Sequence, residues 1–306
     1  MKTGITFLLA FLGTAFGSFG YPISPRPLRL LVEESEFVVM AHVREIREAK
    51  SKKESFDGGA EAILFLREVL RGKIRDSVIS VSFQPLMICP APAHFEKGTD
   101  VIVFLDRRGK QFFVHALSYG VKTVTPEVAA LYKDRIREMQ TILGISDKDE
   151  QFLQTTEWLV KCAEHEATRY EGTYDLSRAS NFMSYYDRSE GKPFQYILND
   201  DQKRRLKKAL LSAAEFSYSD FGLIDLVYAS NAEEIYRFMV EKVQHLDEKQ
   251  MWFAGELMKR ICQFKSSPRS EELAAAYNEK LYGSGTKPVE LKQIITEFLQ
   301  QVEKIR

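Results

Sequence analysis

The stretch DVIVFLDRRGKQFFVHALSYGVKTVTPEVAALYKDRIREMQTILG, residues 100–144, decides the fold, because its hydrophobic period changes partway along. Its first part, DVIVFLDRRGKQFFVHAL, predicts two strands joined by a turn at Arg108-Gly109. Its second part predicts a helix. Thr125 stands as N-cap, Pro126 at the first helical position, Glu127 as an early acid and Gly144 as the stop. Leu131, Ile136, Met139 and Leu143 fall at helical spacing and form the expected buried stripe.

Upstream the reading is mostly β. PLRLLVEESEF predicts a short helix after Pro27, with Leu28, Leu31 and Val32 on one face. EFVVMAHVREI and EAILFLREVLRG predict the first two strands, with the polar SKKESFDGG between them. SVISVSFQ alternates Val78, Ser80 and Ser82 against Ile79, Val81 and Phe83. About five strands, short turns and one helix fit a small barrel of OB-fold size over residues 28–125.

Downstream of Thr125 the chain reads as all-α. Helical periods cover residues 147–168, 174–186, 200–216, 221–230, 232–245, 248–264, 268–281 and 288–305. EGT, EGKPF, SSPRS and YGSGTKP break them. Short serial helices suit stacked pairs in a HEAT-like superhelix, or a non-repetitive bundle, since no fixed repeat period is present.

The bulk numbers agree with a globular chain. Of 306 residues, 44% are hydrophobic, enough for a sizeable core in about two domains. Lys and Arg total 43, as do Asp and Glu, so bulk charge gives no pull toward nucleic acid or anionic lipid. The opening MKTGITFLLAFLGTAFGSFG has a basic Lys2, an apolar run from Ile5 to Leu12, and small residues at Ala15 and Gly17. That order predicts a signal peptide over residues 1–20, cleaved after Gly17 or Gly20, and hence export to the periplasm or beyond. The run is short for a membrane span, so no transmembrane anchor is expected after cleavage. Three cysteines, Cys89, Cys162 and Cys262, allow at most one internal disulfide; if a pair exists, Cys162–Cys262 is favoured over either pairing with Cys89, and sequence does not fix the connectivity.

Several stretches of the first half resemble the netrin-like, or tissue-inhibitor-of-metalloproteinases-like, β-barrel. FVVMAHVREI gives its first strand, Val69-Leu70-Arg71-Gly72 the turn after the second, and Cys89 its loop cysteine. Phe95, Lys97, Gly98, Val103, Phe104 and Leu105 lead into a later strand. Exported bacterial proteins with such barrels are similar, and WLVKCAEHEATRYEG is similar to stretches in the C-terminal regions of exported bacterial proteins. The resemblance implies an OB-like fold and a protein-binding surface. The metalloproteinase inhibitors act through a cysteine at the mature N-terminus. Here that terminus is expected at Ser18 or Tyr21, and the first cysteine is Cys89, so that mechanism does not transfer.

Cys162, His165 and Glu166 crowd together on one predicted helix and form the candidate metal or catalytic cluster. A structural zinc site wants four ligands, and no second Cys/His pair lies nearby. Trp158, four residues before Cys162, points to a core-facing cysteine with a surface histidine instead. No GxSxG, HExxH or P-loop occurs, which removes the usual hydrolase, zincin and nucleotide-site readings. The basic run after Asp200 reads as the solvated face of a helix whose stripe is Leu206, Leu210 and Leu211, capped by Asn199 or Asp200. Arg169, Tyr170 and Glu171, at the turn expected between two helices, are residue types of contact surfaces and equally of structural junctions.

The sequence thus predicts an α+β protein of several parts: a signal peptide at 1–20, an OB-like barrel at 21–125 and an α-helical domain at 126–306. The expected function is non-enzymatic binding of a protein or peptide, with no cofactor, and Arg169, Tyr170 and Glu171 as binding candidates. A hydrolase, or a protease-inhibitor-like protein, is the alternative.

Overall fold

The protein is described from a computed structural model, which covers residues 25–48, 59–85, 91–177, 196–230, 232–283, 285 and 287–304. The signal-peptide reading and Cys89 lie outside the described residues.

Helix α1 spans Leu28–Glu34 and buries Leu28, Leu31 and Val32, as expected. The strands follow as β1 (Phe37–Glu48), β2 (Ala60–Arg71), β3 (Val78–Phe83), β4 (Asp100–Arg108), β5 (Gln111–Val114) and β6 (Val121–Thr123). Their order is β1-β2-β3-β5-β4, and β4 pairs back onto β1, closing a barrel of OB-like strand order, with β6 added to β4. Within this order β3 meets β5 in parallel, Val81 with Phe112 and Ser82 with Phe113. Strand β1 serves two neighbours over much of its length, Phe37–His42 against β4 and nearly all of it against β2. Register shifts after Val38, Met40 and Val43 bend it enough to do so. The β4–β5 turn passes through Gly109 at φ 63°, a left-handed conformation that glycine adopts without steric cost.

Alternation along the strands fills the barrel. Val39, Ala41, Val43, Leu64, Val81, Val101, Val103 and Leu105 point inward with Phe95 and Phe112. The intervening Val38, Ile102 and Phe104 are equally buried, but in a second core shared with the helices. This explains the unbroken apolar run VIVFL: β4 is covered on both faces, so no polar residue interrupts it.

The helices are α2 (Pro126–Leu143), α3 (Lys148–Glu164), α4 (Arg169–Leu176), α5 (Asp200–Leu211), α6 (Asp220–Val227), α7 (Ala232–His245), α8 (Met251–Phe264), α9 (Pro268–Tyr282) and α10 (Pro288–Lys304). Thr125 Oγ1 accepts from Val128 N and caps α2, and Asn199 with Gln202 forms a reciprocal capping box on α5. The α2 stripe is Ala129, Tyr132, Ile136, Met139 and Ile142, so Leu131 and Leu143 are at its margin rather than in it. Packing is mostly between helices close in sequence: α1 on α2, α2 on α3, α3 on α4 and α5, α7 on α8, and α10 back onto α7 to α9.

One helix boundary is corrected. The break read at EGT is displaced: α3 stops at His165, and Glu171, Gly172 and Thr173 are inside α4. Gly172 serves close approach rather than a turn. A Cβ there would lie 2.2 Å from the Leu159 carbonyl oxygen and 2.5 Å from Ala163 N, so α4 can cross α3 at this point only without a side chain. The variant Gly172→Ala is expected to lose about 1–3 kcal/mol by overpacking against backbone that cannot yield. Urea denaturation checks this, and unchanged stability would contradict the close crossing. Cys162 and Cys262, the pairing favoured only if a disulfide formed, are both free thiols.

Candidate functional site

The crossing of α3 and α4 organises the residues singled out in the sequence. Arg169 is 3% exposed and Asp220 is fully buried, and they form an ion pair at 2.6 Å. Arg169 also donates to the carbonyls of Ala163 and Ala209, while Asp220 accepts from Ser217 N and Oγ. This pair ties α4 to the start of α6, the end of α3 and the end of α5. Burial raises the Asp220 pKa, against the opposing pull of Arg169.

Glu171, two residues on, makes a second buried node. Its carboxylate accepts from Leu28 N at 2.6 Å and Tyr132 Oη at 3.2 Å, and meets Lys122 Nζ at 2.8 Å. It therefore satisfies the start of α1 and joins α4, α2 and the barrel strand β6. Arg29 to Asp175, at 2.6 Å, runs beside it. Tyr170 stands half-buried between the two nodes, its ring 5.8 Å from that of Tyr174, and burial raises its hydroxyl pKa. Of the three binding candidates, Arg169 and Glu171 are thus inside the molecule and only Tyr170 reaches its surface.

Cys162, His165 and Glu166 are not brought together. Cys162 is fully buried beside Trp158, and burial holds its thiol well above the ordinary range, so it is no ready thiolate. His165 is exposed and its Nδ1 accepts from Ala167 N, starting the short 3-10 turn that ends α3. Glu166 accepts from Ala214 N. Among the described residues, no group of three or more His, Cys, Asp or Glu has metal-holding geometry.

A cleft of about 480 Å³ opens elsewhere, where the barrel meets the first turn of α2. It is lined by His42, Arg67, Gly98, Thr99, Asp100, Thr123, Val124 and Thr125. Cross-strand pairing sets it up, since His42 of β1 is opposite Asp100 of β4. His42 Nδ1 is 2.8 Å and the Arg67 guanidinium 2.9 Å from the same Asp100 oxygen. The pairing of His42 with Phe65, and of Phe65 with Val78, continues the row across the outer face of β1, β2 and β3. Phe65 is 47% exposed there, and Val78 is exposed beside it. The cleft and this row form one surface with an aromatic centre and a charged margin.

A second histidine is fully engaged. His115 Nδ1 meets Asp106 at 2.8 Å and Nε2 meets Glu34 at 3.2 Å, strapping α1 to β4. The next two residues, Ala116 and Leu117, are left-handed, at φ 56° and 53°, a conformation costing about 1–2 kcal/mol for a residue with a Cβ.

Sequence reading passes over His42, Phe65, Arg67 and Asp100. The signal was present in β2: Ala60, Ala62 and Leu64 are the inward set, which leaves Phe65 on the same side as Glu61 and Arg67. A large aromatic on the polar side of an alternating strand marks a contact surface or a covered one.

Fold and site together define the class: an α+β protein with a closed OB-like barrel packed on a helical domain. No family model matches the chain, and no curated protein matches it either. Among the described residues, no helix is long and apolar enough to cross a membrane.

Proposed function

We propose that this is an exported binding protein, acting in the periplasm or outside the cell without catalysis of its own, and that it takes a protein or peptide across the outer face of β1, β2 and β3. The observation that carries this reading is Phe65, 47% exposed on a sheet whose neighbouring face is packed. Val78 widens the apolar contact. Arg67, at the cleft beside it, adds the guanidinium that recurs with aromatic residues at binding hot spots. Kinship with netrin-like barrels belongs to the same proposal, and the closed strand order supports it. Recovery of the mature chain outside the cytoplasm, beginning at Ser18 or Tyr21, tests the export.

A random peptide library displayed on phage and selected on the immobilised full chain tests the binding. Peptides enriched on the wild type are expected to be lost from Phe65→Ala, because removing a central aromatic anchor costs about 2 kcal/mol, roughly thirtyfold in affinity. No enrichment, or equal retention by Phe65→Ala, contradicts the reading.

One observation favours the alternative of a hydrolase. The His42–Asp100 contact, at 2.8 Å in an open cleft with three threonines, has the geometry that orients a general base. Thr99 Oγ1, however, already donates to the Glu96 carbonyl, and Arg67 shares the Asp100 oxygen. Turnover of a peptide or ester substrate, abolished in His42→Ala, would establish this alternative and overturn the first reading.

A further inference from the structure

The second surface of interest is on the helical domain, away from the barrel. Helix α8 buries Met251, Phe253, Ala254, Leu257, Met258 and Ile261. Trp252 is off that stripe and is 45% exposed, so the core does not require its ring. The ring is nonetheless held in place. Tyr218 stacks on it at 5.7 Å and 15°, and Phe253 touches it at 3.8 Å. Tyr218 is in turn set edge-on against the buried Phe221 at 5.8 Å. The result is an aromatic cluster whose indole is 45% exposed to solvent.

Polar groups continue from the platform along the same helix face. Glu256 and Arg260 follow Trp252 at successive steps of four, which places them one turn apart in a row. Arg260 Nε donates to Glu256 at 2.9 Å, and its Nη1 pairs with Asp225 of α6. Its guanidinium lies over the Phe221 ring at 5.2 Å. Burial and then the charge of Glu256 raise the Tyr218 hydroxyl pKa while Arg260 lowers it, so that hydroxyl belongs to the same cluster. Carboxylate acceptors and a planar donor are therefore fixed beside a flat apolar ring, with half-open exposure at Asp225 and Glu256.

That combination selects among ligands. Asp225 and Glu256 outnumber Arg260, so an anion is repelled, while a quaternary ammonium group has no N–H or O–H to donate to the carboxylates and no oxygen to accept from the guanidinium. An extended proline-rich strand needs a succession of aromatic ridges, and here there is one platform. A neutral sugar ring fits both halves: its C–H face lies on the indole, and its hydroxyls donate to carboxylates and accept from a guanidinium. We propose that Tyr218, Trp252, Asp225, Glu256 and Arg260 form a binding site for a neutral carbohydrate. The site is separate from the barrel face and stands or falls independently of it.

The two tryptophans provide the test. Trp158 is fully buried and Trp252 half exposed, so acrylamide quenches the emission of Trp252 selectively. The full chain is titrated with linear hexasaccharides of three compositions: chitohexaose, cellohexaose and maltohexaose. At least one is expected to protect Trp252 saturably from acrylamide. Glu256→Gln and Asp225→Asn keep the reporter and are expected to bind about tenfold more weakly, since each removes a charged hydrogen-bond acceptor. Trp252→Ala, followed by calorimetry, is expected to abolish binding, with its circular dichroism unchanged because the ring is outside the core. Lack of protection by all three sugars overturns the proposal. So does protection that is unchanged in both carboxylate variants, or protection by a proline-rich peptide in place of the sugars.

Discussion

Arg169→Ala is expected to destabilise the protein by about 3–5 kcal/mol, the cost of leaving a buried charge without its partner. Asp220 is fully buried, and among the described residues its other hydrogen bonds are to Ser217, which brings no second cation. The pH dependence separates lost charge from lost packing. Burial raises the Asp220 pKa in the folded state even with Arg169 present. A carboxyl with a raised folded pKa holds its proton more tightly when folded, so its contribution is fullest in acid and is lost as pH rises through the folded value. Without Arg169 that value rises further. The deficit of Arg169→Ala is therefore expected to be larger near about pH 7 than near about pH 5, where protonation relieves the orphaned charge. Denaturant titrations at both values check it. The double variant with Asp220→Ala should recover part of the loss. A deficit below about 1 kcal/mol, the range of a surface pair, would contradict the buried ion pair.

Glu171→Ala is the other large effect. It removes one carboxylate that serves the first amide of α1, the Tyr132 hydroxyl and Lys122. Lys122 is left mostly buried with no other ion-pair partner among the described residues, again at a cost of about 3–5 kcal/mol. The loss has a predicted location. Amides of Leu28–Glu34 should exchange hydrogen faster than those of α8, because α1 loses the contact that satisfies its start while α8 has none with this node. Lys122→Met in the same chain removes the orphaned ammonium and should restore part of the stability. Equal exchange in α1 and α8 would show that Glu171 does not hold α1 in place.

How far these nodes are legible in the sequence differs from residue to residue. Strand and helix types follow from local pattern: Ile79 and Val81 alternate inward, Thr125 with Pro126 opens α2, and Asn199 caps α5. Each depends on neighbours within a few positions. The two-sided burial of β4 is only half legible, since VIVFL announces a buried strand but not which core each side chain enters. Gly172 reads as a helix breaker because glycine breaks helices on average, and its actual role depends on α3 passing within a Cβ radius. The partner of Arg169 is 51 positions away and that of Glu171 is 143 positions away, so neither node has a local signature. His42 and Asp100, 58 positions apart, meet through strand register, which no spacing rule supplies.

The barrel and helices thus form a joined frame, with buried polar nodes at the seam and the proposed recognition surface on the outer face of β1, β2 and β3. The most direct test is calorimetric titration of a peptide enriched on the wild type against wild type and Phe65→Ala, both confirmed folded by circular dichroism. The expected result is a loss of roughly thirtyfold in affinity for Phe65→Ala. Wild-type affinity in Phe65→Ala would place the contact surface elsewhere and contradict the account.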